Sequence, residues 1–270
     1  MAYVRVIRPA NCAITAVSVL VGALIGRDII LSGNLIAAAL IGFGVCAFGN
    51  LVNDIKDIEI DRINDPTRPL PSGKVRKNVV WFMAFAFMAG SALASFFLGT
   101  IPFLVVIAAL ILLVFYSVYL KKTMAGNITV ALIAGLSFIF GGIVAANPAS
   151  VIPGVFAVLI HLPREMIKDV IDMSGDRLAG ARTLPIVAGP SAAYNLSAVF
   201  LGLLCIALPL PYITGILKLT YMVIILCAAY PLLFYIMWRL LKNPSSESLP
   251  LLSNLLKAGM AIGLIAMIVS

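Results

Sequence analysis

Apolar runs about twenty residues long, separated by short polar intervals, follow one another from residue 10 to residue 269. A helix needs roughly 17 to 25 such residues to cross a bilayer. The runs are rich in Ala, Leu and Gly and lack period-two alternation, which argues for helices over barrel strands. The pattern predicts nine spans, at about 10–30, 34–53, 79–98, 101–119, 124–145, 151–168, 191–213, 217–238 and 251–269. The expected fold class is an all-α polytopic membrane protein of one domain.

Two polar intervals interrupt this pattern differently from the others. Of 11 acidic residues, nine lie in two segments: Asp54, Asp57, Glu59, Asp61 and Asp65, then Glu165, Asp169, Asp172 and Asp176. Asp54, Asp57, Asp61 and Arg62 recur as Asp169, Asp172, Asp176 and Arg177, offset by 115 residues at every position. A similar tail follows each, "TRPLPSG" at 67–73 and "ARTLPIVAG" at 181–189. This offset corresponds to four spans. It predicts two parallel four-helix pseudo-repeats, approximately 1–122 and 123–242, with a ninth helix at 251–269 and a central cavity between the acidic ends.

The chain is 62% hydrophobic and 11% charged, far from the roughly 25% charge of a soluble domain. Its net charge of +8 is a topology signal. With the N-terminus cytoplasmic, 17 of the 19 Lys and Arg residues fall on that side and only Arg27 and Lys218 on the other. Nucleic-acid binding is therefore not the reading. The N-terminus and the acidic loops are expected on the cytoplasmic face of a cell membrane. The start is expected to be a retained first helix, because no clear small-x-small cleavage site precedes Arg27. Cys12, Cys46, Cys205 and Cys227 lie in apolar spans without Cys-x-x-Cys spacing and are expected to pack.

On a continuous helix, Asp at i, i+3 and i+7 falls on one stripe about 60° wide, which Asn50 shares. Carboxylates so crowded near lipid need positive charge between them. Pairing with neighbouring Arg and Lys, or plain solvation, is one answer. The other is Mg²⁺, whose oxygen ligands bridge carboxylates to substrate phosphates. In a membrane protein that arrangement implies a lipid with a phosphorylated head. Arg8, Arg62, Arg68, Lys121, Lys168, Arg177 and Arg182 are the cations expected to meet the remaining phosphate charge, with Asn11 a polar companion of Arg8. Phe48, Tyr116, Tyr119 and Phe138 are candidates for walls that shelter a cationic species from water. An ion-coupled transporter is the competing class, disfavoured because the acids sit at span ends and not at the midplane.

The segments N53-D54-x-x-D57-x-x-x-D61-R62, R68-P69-L70-P71-S72-G73 and D172-x-x-x-D176, with T183-L184-P185, Arg8-Pro9, and Tyr116 ahead of Lys121, resemble the UbiA superfamily of intramembrane prenyltransferases. The resemblance covers nearly the whole chain. It implies that Asn53, Asp57, Asp61, Asp172 and Asp176 ligate Mg²⁺ or its waters around a prenyl diphosphate, with Asp57, Asp61, Asp172 and Asp176 the catalytic set. Asn50, Asp54 and Asp169 stand behind them as ligands. It also implies substrate contacts from Tyr116 and Lys121. Within the superfamily, "IRPANC" and "REMIKDVIDMSGDRLAGARTLP" look most like the digeranylgeranylglyceryl phosphate synthase branch. That likeness implies transfer of a geranylgeranyl group from its diphosphate to the hydroxyl of geranylgeranylglyceryl phosphate. An aromatic acceptor of quinone, haem or chlorophyll type is the alternative.

Overall fold

A computed structural model describes residues 2–28 and 30–270. Among them there is no strand, only an isolated parallel bridge between Thr123 and Arg182. The main helices are α1 (Pro9–Leu24), α2 (Gly33–Lys56), α3 (Lys77–Phe97), α4 (Thr100–Leu120), α5 (Met124–Ala145), α6 (Pro148–Ile171), α7 (Pro190–Ile213), α8 (Leu219–Leu241) and α9 (Ser246–Ile268). Eight of these are long and apolar enough to cross a membrane; α1, with 16 residues, falls short of that length.

The expected first span, 10–30, is therefore shortened at its far end. Gly26 at φ 68° turns the chain out of the helix, and Leu24 is the last α1 residue; Ile29 lies outside the described residues. At the near end, Arg8 adopts a left-handed conformation (φ 57°, ψ 64°) that separates α1 from a short helix, Ala2–Ile7. Left-handed backbone is unfavourable for an arginine, and Pro9 further restricts the residue before it. Such strain, of order 1–3 kcal/mol, persists where surrounding contacts overdetermine it, and it clusters at functional sites.

Successive helices pack as neighbours, and α9 returns to both α1 and α6. One apolar core gathers Leu51, Val80 and Leu110 from the first half; another gathers Leu201, Tyr221 and Leu256 from the second. The halves are joined where α1 crosses α5. A Cβ on Gly141 would lie 1.8 Å from the Val19 carbonyl oxygen, and one on Gly22 would lie 2.0 Å from that of Phe138, so only glycine permits this approach. At the end of the crossing, buried Asn147 donates to the Ala23 and Ile25 carbonyls at 3.0 and 2.9 Å. Arg27 donates to the carbonyls of Ala145, the last residue of α5, and Ala146, which caps it, at 2.8 Å each. Large apolar side chains such as Phe82, Phe97, Ile206 and Ile213 project outward, a surface suited to lipid.

Candidate functional site

The two acidic segments do not continue their helices as single faces. Each breaks at its middle aspartate. Asp57 ends α2 at φ −91°, ψ 1° and starts the short helix Ile58–Asn64; Asp172 ends α6 at φ −89°, ψ 2° and starts Met173–Leu178. Both occupy the sparsely populated bridge region where many site residues lie. The break corrects the uniform-helix stripe expected from sequence. The chain turns there with the Asp57 and Asp172 amides still bonded at 2.9 Å to the carbonyls of Asn53 and Lys168. The short helices pack against each other, so the two acidic ends face one another.

Cations from separate elements meet the first acidic segment one by one. Arg8, at the strained turn before α1, pairs with Asp54; Lys121, following α4, pairs with Asp57; and Arg68, from the following loop, pairs with Asp61 at 2.7 Å. The last five residues of α4, Tyr116–Leu120, form a π turn, and the Lys121 amide bonds to the Tyr116 carbonyl at 2.9 Å. Such bulges re-aim side chains at functional sites. Asp54, Asp57 and Asp61 are all buried. Burial raises the Asp61 carboxyl above its ordinary range despite Arg68. Burial opposes the charge on Arg68 as well, yet its bond to Asp61 and the nearby charges of Asp54 and Asp172 hold the guanidinium above its usual value.

The second segment is less evenly paired. Both oxygens of buried Glu165 are taken, by Arg164 and Lys168 at 2.7 Å each, and Asp169 accepts from Asn127 at 2.7 Å. Asp172 and Asp176 have no ion pair among the described residues. Burial raises both carboxyls; Asp176, which also feels Asp172, is pushed up to about 6.

A cavity of about 590 Å³ opens beside these groups, lined by α1, α2, α4, α5, α6 and α9. Asn50, Asn53, Arg68 and Tyr116 border it, and Val105, Val106, Ile133 and Phe140 supply apolar wall. A family model described as the UbiA prenyltransferase family matches residues 15–257. The chain belongs to that family. Digeranylgeranylglyceryl phosphate synthase of Methanothermobacter thermautotrophicus is 37% identical over 268 residues, covering 98% of this chain and 94% of that protein. The enzyme of the same name from Methanocaldococcus jannaschii is 38% identical over 275 residues, with 99% and 95% covered. A solved structure concerned with digeranylgeranylglyceryl phosphate synthase in membranes superposes with TM-score 0.78 at 33% identity, covering 99% of this chain and 96% of the other. A UbiA homologue from Archaeoglobus fulgidus, bound to DMAPP and Mg²⁺, shares the fold at TM-score 0.72 and 22% identity, with all of both chains covered.

The oxygen donors of this UbiA member suit a hard divalent ion. The Asn53 side-chain oxygen is buried without a hydrogen-bond partner, and Asp172 and Asp176 make no ion pair among the described residues. Among the described residues no three His, Cys, Asp or Glu side chains gather into a site of their own.

Of the expected contact residues, Arg8, Asn11, Arg68, Tyr116 and Lys168 line the cavity. Lys121 is held on Asp57. Asn50 donates to the Ile7 carbonyl at 3.0 Å, bracing the turn at Arg8. Arg62 instead pairs with exposed Glu59, and Arg177 and Arg182 are exposed. The Arg182 amide binds the Lys122 carbonyl at 2.7 Å, tying the two loops together. Tyr119 is 65% exposed against Phe115, Phe48 is core, and Phe138 is buried away from this cavity, leaving Tyr116 and the unforeseen Phe140 as its aromatic wall. Arg164 and Lys257 also line it. Both were counted from sequence as charges at span ends.

Proposed function

We propose that this chain transfers a geranylgeranyl group from its diphosphate to the free hydroxyl of geranylgeranylglyceryl phosphate, with Mg²⁺ as cofactor, within a cell membrane. The observation that carries the reading is the packing of the two acidic ends on each other beside a cavity bordered by Asn53, Arg68 and Tyr116, together with the buried, unpartnered oxygen of Asn53. The synthases named above, at 37% and 38% identity over nearly full length, support the choice of acceptor.

Asn53, Asp57, Asp61, Asp172 and Asp176 would hold the ion, which when bound neutralises charge on the departing diphosphate. Arg68 and Lys121 add fixed positive charge where that charge grows, and one such preorganised donor is typically worth about 2.7–4 kcal/mol of barrier. The allylic fragment left behind lies against Tyr116, Phe140 and aliphatic wall, which keep water from it. The matched breaks at Asp57 and Asp172 support a reading of residues 1–122 and 123–242 as parallel pseudo-repeats. The 17-to-2 distribution of basic residues supports a cytoplasmic N-terminus and cytoplasmic active-site loops.

The deciding experiment incubates the purified protein with geranylgeranyl diphosphate, Mg²⁺ and separate acceptors, read by mass spectrometry. A doubly prenylated glyceryl phosphate is the expected product. Alkylation of an aromatic acid with none of the lipid phosphate would overturn the reading.

A further inference from the structure

Away from the two acidic breaks, one wall of the cavity carries charge that diphosphate chemistry does not use. Arg164 and Lys168 from α6 and Lys257 from α9 all line it. Arg164 lies seven residues before the end of α6, roughly 10 Å inside it at 1.5 Å per residue, and Lys257 lies eight after Leu249, where the 3₁₀ turn that opens α9 gives way to α-helix, roughly 12 Å inside that α-helical part. Both lie inside their spans, and α6 packs on α9. Snorkelling explains a basic residue at a span end, but charge this far inside is expensive and normally marks a ligand pathway.

The local charge does not balance. Glu165 is the one carboxylate bound to this wall, and its two oxygens are occupied by Arg164 and Lys168. Lys257 makes no ion pair among the described residues, while the charges it faces include Arg164, Lys168 and Arg8 along with Glu165. Arg8 is itself committed to Asp54. Three cations against one carboxylate leave an excess of two. The Nε–H of Arg164 is also buried without an acceptor. A buried donor left unpaired costs about 1–3 kcal/mol, which a ligand oxygen would recover.

We propose that Arg164, Lys168 and Lys257 form a subsite for a phosphomonoester, ordered by Glu165 and distinct from the diphosphate site between the acidic breaks. Resting on the function proposed above, its occupant is the phosphate of the lipid acceptor. A phosphomonoester carries nearly two negative charges at neutral pH, matching the excess, and the planar guanidinium of Arg164 is suited to its oxygens. Anchoring this head on α6 and α9 leaves the glyceryl hydroxyl free to reach the donor carbon. Glu165 acts as a positioning residue, holding two of the cations in place.

Lys257 is the residue to change, because its loss strands no carboxylate. Lys257→Met is expected to raise KM for geranylgeranylglyceryl phosphate at least about tenfold, the scale of one charge-assisted contact, without moving KM for the prenyl diphosphate. Lys257→Arg should restore most of it. With geranylgeranylglycerol, which lacks the phosphate, wild type and Lys257→Met should be indistinguishable. An equal penalty with both acceptors, or a changed donor KM, overturns the subsite. Failure of wild type to alkylate the lipid phosphate would overturn the proposed function instead. The subsite is then still tested by binding: in EDTA, dodecyl phosphate should raise the thermal midpoint of wild type more than dodecanol does, and Lys257→Met should abolish the difference. No difference in wild type refutes it.

Discussion

Asp172 and Asp176 differ from the acids of the first segment in making no ion pair among the described residues, and their substitution is correspondingly informative. Asp172→Asn removes a proposed metal ligand without stranding a partner. Turnover should fall about 10²- to 10³-fold, on the scale of one lost charge-stabilising group, while the thermal midpoint stays within a degree or two of wild type. Asp54→Asn offers the contrast, because it leaves Arg8 unpaired at a strained turn and should lower stability as well as activity. Asp176 titrates near 6, raised by burial and by Asp172. A carboxyl with a raised pKa holds its proton below that value, and the proton competes with metal. The Mg²⁺ concentration for half-maximal activity should therefore climb as pH drops through about 6, and Asp176→Asn should flatten the dependence. These acids were legible in the sequence because a chain so poor in charge repeats them at a constant offset. Arg164, Lys257 and Phe140 were not: nothing in a one-dimensional pattern says which face of a span meets a cavity.

Among the helices, the crossing of α1 on α5 carries the sharpest steric constraint. Gly141→Ala would drive a methyl group into the Val19 carbonyl, and overpacking of this kind costs about 1–3 kcal/mol. A lowered thermal midpoint in detergent is expected. Gly90→Ala in α3, where a Cβ meets nothing within 4 Å, should leave the midpoint unchanged or raise it. Most spans could be placed from hydropathy alone because bilayer thickness dictates their length. The breaks at Arg8, Asp57 and Asp172 could not, since each depends on contacts from distant segments: Asp54 for Arg8, and the opposite short helix for the two aspartates. The π turn at Tyr116–Leu120 likewise has no periodic signature, although it sets the approach of Lys121.

At the scale of the molecule, the proposed orientation places residues 57–73 and 172–185 on one side of the bilayer and Thr214 on the other. In sealed vesicles of known sidedness and a chain whose own cysteines are replaced, a cysteine at Ser72 should react with an impermeant maleimide only from the cytoplasmic side, and one at Thr214 only from the opposite side. Reaction of both from the same side would overturn the orientation. The ion pairs contributed by Arg8, Lys121 and Arg68 have a further consequence. Before anything binds, Asp54, Asp57 and Asp61 each already share one carboxylate oxygen with a cation, so a divalent ion at the proposed ligands Asp57 and Asp61 would compete with an ammonium or guanidinium group for their charge, and a diphosphate would give that group another partner. Metal and anion would thereby load as a linked pair, each tightening the other by the same factor. Mg²⁺ alone should titrate weakly, and inorganic pyrophosphate should sharpen the titration markedly.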